Sequence, residues 1–77
     1  MGNIILDTNM YYYIATNPNK QKIFENYLNR NKYIHQANTV AITELINASE
    51  TDRDSTKRTT AKEGLKYIKN NCSRDLV

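Results

Sequence analysis

The chain has 77 residues, 39% hydrophobic content and a formal net charge of +3. That length allows one small domain, and a short chain buries a small share of its surface, so its stability is marginal. A single cysteine, Cys72, excludes an intrachain disulfide scaffold; no apolar run approaches the ~18 residues of a membrane span, and the opening Met-Gly-Asn-Ile-Ile-Leu lacks the basic segment and apolar core of a secretion signal.

The charge is uneven. Residues 1–52 carry four Lys/Arg and five Asp/Glu, whereas residues 53–77 carry seven and three. A basic final third favours a polyanionic partner such as RNA, and a solvated helix face is the plainer reading of the same charges. With a lone thiol and no membrane span, the expected setting is the cytoplasm.

In chain order, residues 3–6 (Asn-Ile-Ile-Leu) form an apolar run without alternation. Such a run predicts a parallel strand covered on both faces. Asp7-Thr8-Asn9 ends it with residues that favour turns and helix starts. A short helix follows, with Met10, Tyr13 and Ile14 on its apolar face. Asn17 caps a second helix with Pro18 at its first position, and Ile23, Phe24, Tyr27 and Leu28 share one side. Residues 33–37 (Tyr-Ile-His-Gln-Ala) predict a second strand. Asn38 caps a third helix running to about Ser49, with Ala41, Ile42, Leu45 and Ile46 facing inward. Residues 50–56 are wholly polar and read as a loop. A fourth helix spans about Thr56 to Asn70, with Ala61, Leu65, Ile68 and Cys72 as its stripe. Asp75-Leu76-Val77 reads as the start of a third strand. A helical crossover between strands implies a parallel pair, so the fold class is α/β, with a short parallel sheet flanked by helices.

Asp7 carries the strongest chemical signal. It follows a strand whose C-terminal end, in an open parallel sheet, borders the ligand-binding crevice. A carboxylate there suits a hard cation such as Mg²⁺ or Mn²⁺; capping the next helix is its other available role. Glu44 lies off the apolar face of the third helix, and its first turns approach the same strand end if the two strands are neighbours. Arg58, Lys62, Lys66 and Lys69 fall within ~80° of one another around the fourth helix. They can line a groove for an RNA backbone or form a solubilising edge. Of the tyrosine triplet, Tyr13 is expected in the core, with Tyr11 or Tyr12 meeting a partner. His35 has no Cys or His at metal-ligand spacing and reads as structural. Cys72 reads as a small buried hydrophobe.

These residues resemble a known family. Asn3-Ile4-Ile5-Leu6-Asp7-Thr8-Asn9, followed by Tyr11-Tyr12-Tyr13-Ile14, looks like the first motif of PIN-domain proteins, in which an apolar strand ends in aspartate, then Thr and a small polar residue, then a helix. Asn38-Thr39-Val40-Ala41-Ile42-Thr43-Glu44-Leu45 resembles that family's second motif, a helix carrying glutamate followed by leucine. The resemblance implies a metal-dependent endoribonuclease with Asp7 and Glu44 as acidic ligands of Mg²⁺ or Mn²⁺, Asn9 beside the site and Thr8 supporting the turn. It also implies an RNA substrate and, in many members, an antitoxin-like protein partner. The family's remaining acids have no match: Asp52 and Asp54 come too early, and Asp75 has no helix after it. The chain therefore reads as the N-terminal portion of a PIN-like domain, incomplete by itself. Apolar surface near residues 11–14, Leu65 and Ile68 is then expected to lack cover and to favour self-association. A degenerate or naturally short remnant that binds protein or RNA without cutting is the alternative. A small helical interaction module is the third reading.

Overall fold

A computed structural model describes the chain from Gly2 to Leu76, with side chains as far as Cys72. The order is β1 (Gly2–Ile5), α1 (Thr8–Ile14), α2 (Pro18–Asn31), β2 (Tyr33–Ala37), α3 (Thr39–Thr51), α4 (Ser55–Asn71) and β3 (Ser73–Leu76). The strands form one sheet in the order β1-β2-β3 with both pairs parallel. Gly2 pairs with Tyr33 and Ile5 with Gln36. The third expected strand is present as Ser73–Leu76; Val77, the last residue of that expectation, lies outside the described residues.

Every helix starts on an Asx side chain. Asp7, Asn17, Asn38 and Asp54 accept hydrogen bonds from the backbone amides of Met10, Lys20, Val40 and Thr56. Each bond satisfies one of the four amides that a helix start leaves without a partner. Pro18 occupies the first turn of α2, where its missing N–H costs nothing. Lys32 ends that helix in the left-handed region, at φ 56 and ψ 38. The loop between α3 and α4 is shorter than the polar run predicts. Only residues 52–54 leave the helices, and the Asp52 and Asp54 side chains bond the following backbone.

The sheet differs from expectation in its cover. Side chains alternate across a strand, so Ile4, His35 and Ala37 share one face and Asn3, Ile5, Ile34 and Gln36 the other. Tyr11 of α1, Phe24 of α2 and Tyr67 of α4 pack around His35 on the first face. On the second, Ile5 and Ile34 are 46% and 50% exposed. The non-alternating run of β1 was expected to be covered on both sides; the described helices cover one.

The helix faces are also rotated from their predicted positions. In α1 the buried residues are Tyr11, Ile14 and, at the cap, Ala15, while Met10 and Tyr13 are exposed. The expectation that Tyr13 is core and Tyr11 peripheral is therefore reversed. A seven-residue helix has too few apolar positions to fix its own rotation, and the contact with α4 and β2 decides it. In α2 Leu28 is buried and Phe24 half-buried, but Ile23 and Tyr27 stand exposed. In α3 the face is Ala41, Leu45 and Ala48 with part of Ile42, and Ile46 is exposed. Tyr11, Ile14 and Ile68 lie in the core and Leu65 packs against it, so of the apolar surface expected to lack cover there only Tyr13 is exposed. Further exposed apolar side chains lie on the second sheet face and along α1, α2 and α3.

Gly64 is buried in α4 against Leu45 of α3 and Tyr11 of α1. A Cβ at this position would meet the Leu45 methyls at 3.4 and 3.5 Å and the Tyr11 Cβ at 3.6 Å, which is ordinary contact. The site admits alanine, and helical Gly costs up to about 1 kcal/mol relative to Ala. Gly64→Ala is expected to raise the stability by most of that amount, read as a higher urea midpoint with an unchanged slope.

Candidate active site

Asp7 stands just beyond the C-terminal end of β1, and Glu44 lies in the second turn of α3, directly after the neighbouring strand β2. Asn38 ties the two chain turns together. Its side-chain carbonyl caps α3 at Val40, and its amide nitrogen donates to the Leu6 carbonyl at 3.5 Å. The result is a cavity of about 460 Å³ lined by Asp7, Thr8, Asn9, Tyr12, Glu44 and Asn47. The four residues predicted from the sequence as ligands or supports thus share one concavity. Glu44 faces it because the inward side of α3 is turned toward Ala48 and away from Ile46, which carries position 44 to the edge beside α1.

Asp7 caps α1 and borders the cavity. One carboxylate oxygen, Oδ1, accepts from the Met10 amide at 2.9 Å, which fixes the side chain at the mouth of the cavity. Both acids are exposed to solvent. The donors around them are carboxylate, hydroxyl and amide oxygens, a hard set that suits a hydrated Mg²⁺ or Mn²⁺. Among the described residues no third His, Cys, Asp or Glu joins them to complete a cage.

No family model, curated protein or solved structure matches this chain. The site is therefore read from its own chemistry. Two of its residues are not evident from the sequence pattern. Tyr12 lies between two acids: its hydroxyl is raised above the usual phenol range by burial first, then by the charges of Asp52 and Glu44. Tyr12 and Asn9 also border an adjoining cavity of about 410 Å³ that holds Asp52, Lys57 and Thr60. A groove thus leads from the paired carboxylates, over Tyr12, to a lysine. Lys57 lies about one turn before the buried Ala61 on α4 and is itself exposed.

The predicted basic strip lies elsewhere. The Arg58 guanidinium donates to the Asp52 carbonyl at 2.6 Å and closes the α3–α4 loop. Lys66 lines a separate cavity with Gln21 and Glu63, and Lys62 and Lys69 are exposed on α4. None of the four borders the cavity of Asp7 and Glu44. Among the described residues no helix is long and apolar enough to cross a membrane.

His35 is 4% exposed and holds the core behind the site together. The Tyr11 hydroxyl lies 2.7 Å from its Nε2, and the Cys72 sulfur is 3.3 Å from the same nitrogen. Cys72 therefore belongs to a polar cluster, more than the plain hydrophobe its stripe position suggests. Burial raises its thiol, and the bond to Tyr11 partly offsets this. Burial also lowers the His35 pKa below its ordinary 6.5. The unfolded chain then binds a proton more readily than the folded one, so stability rises with pH through this window. The contribution is present above about pH 6.5, the ordinary value for histidine, and is lost as pH falls below it. Urea midpoints measured from pH 7.5 down to 5.5 are expected to fall, and His35→Gln is expected to flatten that slope.

Proposed function

We propose that this chain is the N-terminal portion of a PIN-like, metal-dependent endoribonuclease acting on RNA phosphodiester bonds. The observation that carries this reading is the meeting of Asp7 and Glu44 in one cavity at the C-terminal end of a parallel strand pair. Bound Mg²⁺ or Mn²⁺ supplies an activated water and neutralises developing phosphate charge. Asp7, held by its capping bond, and Glu44 would carry the cation, with Asn9 and Thr8 completing the polar wall. Lys57, at the far end of the groove, would meet a phosphate of the strand, and Tyr12 would offer an aromatic face between them. Two acids leave most of the coordination to water and substrate, so the reading includes weak metal affinity and no useful cleavage by these 77 residues alone. An antitoxin-like protein that blocks the cleft, a cytoplasmic setting and homo-oligomer formation belong to the same proposal.

The test is Mn²⁺ titration followed by amide NMR. Paramagnetic broadening is expected first at residues 7–9 and 44–47. Broadening centred elsewhere, or uniform along the chain, would remove the basis of the proposal. Among the described residues no third acid joins the pair, which favours a second reading, a non-catalytic remnant that binds protein or RNA. RNA binding that persists in EDTA and is unaffected by Asp7→Asn would support that reading.

A further inference from the structure

A further cavity of about 390 Å³, sharing no lining residue with that of the acid pair, opens where α2, β2 and the end of α4 meet. Glu25 is the one charged side chain among its lining residues. Tyr33, His35 and Tyr67 supply aromatic walls, and Asn29 and Asn71 supply amides. Asn29 and Asn71 belong to the last turns of α2 and α4, so two helix C-termini converge here. The carbonyl end of a helix carries partial negative charge and favours a cation.

Tyr67 adds an independent observation. It is 6% exposed, and its hydroxyl is buried with no hydrogen-bond partner among the described residues. A buried hydroxyl without a partner costs about 1–3 kcal/mol, so its persistence calls for a cause. Burial first, and then the Glu25 charge, push this phenol up to about 12, so the hydroxyl stays neutral and feels the carboxylate. A group that donates to both oxygens would satisfy the pair together. An ammonium or guanidinium does so, and aromatic faces add cation–π attraction.

We propose that this cavity binds a small organic cation carrying a guanidinium or primary ammonium group, held by the Glu25 carboxylate, the Tyr67 hydroxyl and the aromatic walls. The site is separate from Asp7 and Glu44 and does not depend on nuclease activity.

The experiment is an amide NMR titration of the 77-residue chain with ethylguanidinium, with ethylurea as the neutral isostere. Saturable shifts are expected around Glu25, Tyr33, Tyr67 and Asn71 with the cation and not with ethylurea. Glu25→Gln keeps helix propensity and shape, and should weaken binding at least about tenfold through loss of a charge-assisted hydrogen bond. Tyr67→Phe should weaken binding several-fold and leave the free chain equally or more stable, because it removes the unpaired hydroxyl. The proposal is overturned by equal shifts with ethylurea, by shifts confined to Asp7 and Glu44, by affinity unchanged in Glu25→Gln, or by no shift at all. Tyr67→Phe that destabilises the free chain without changing the affinity would also overturn it, since the hydroxyl would then serve the fold alone.

Discussion

Replacing Asp7 with asparagine is expected to weaken Mn²⁺ binding at least about a hundredfold, since even residues that only support a metal ligand are worth 10–100-fold. The same change should leave the thermal unfolding nearly unaltered. Asp7 caps α1 through one oxygen, and asparagine caps a helix as well as aspartate does. What the substitution removes is the negative charge. Asp7→Ala separates the two roles, because it loses the cap as well and should cost about 1 kcal/mol of stability. A chain extended by further acids should cleave single-stranded RNA with Mg²⁺ or Mn²⁺. There Asp7→Asn should abolish cleavage and Glu44→Gln should reduce it strongly. An RNA time course with and without EDTA reads all of these. Cleavage that survives both EDTA and Asp7→Asn would remove the metal mechanism. Metal-dependent cleavage by the 77 residues alone would show that two acids suffice, or that two copies share one site.

The second large effect concerns the fold. Leu45 is fully buried and packs on Gly64 where α3 crosses α4. Leu45→Ala is expected to cost about 2–5 kcal/mol, because the removed carbons leave a cavity as well as lost contacts. A domain of this size holds about 4–12 kcal/mol in all. The variant should therefore lose a large share of its stability, visible as a much lower thermal midpoint and urea midpoint. Gly64→Ala tests the same contact from the opposite helix with the opposite sign. A Leu45→Ala chain as stable as the parent would show that α3 and α4 are not the centre of the core.

The strands and helix starts were legible because their signals are local. Asn17-Pro18 and Asn38 cap helices by the chemistry of a single side chain, and both do so where the sequence indicates. Asp7 was legible for the same reason, since it follows an apolar strand directly. Glu44 needed one further step, the adjacency of β1 and β2, which the crossover pattern supplied. Rotation of a helix about its axis was harder to read. Tyr11 and Tyr13 are equally apolar in sequence, and only the cluster of His35, Cys72 and Gly64 selects Tyr11 for the core. The same ambiguity hid Lys57 behind its neighbour Arg58. One residue is ~100° of helix, enough to turn a lysine into the groove and its neighbour onto a loop carbonyl. The bare sheet face was illegible for another reason: an apolar run states what a strand would bury, and does not state what the described helices reach.

The close pairing of α3 and α4 also bears on the order in which the molecule comes together. These helices share more of their surface with each other than with any other element, and only residues 52–54 join them. Closing so short a connection costs little entropy, whereas pairing Gly2 with Tyr33 must first bring in a chain segment that includes all of α1 and α2. The helical hairpin is thus the natural nucleus, and the sheet condenses onto it. Glu44 would arrive early on that nucleus, and Asp7 would join it only when β1 docks. Pulsed hydrogen exchange during refolding reads this order directly, with α3 and α4 amides protected before those of β1.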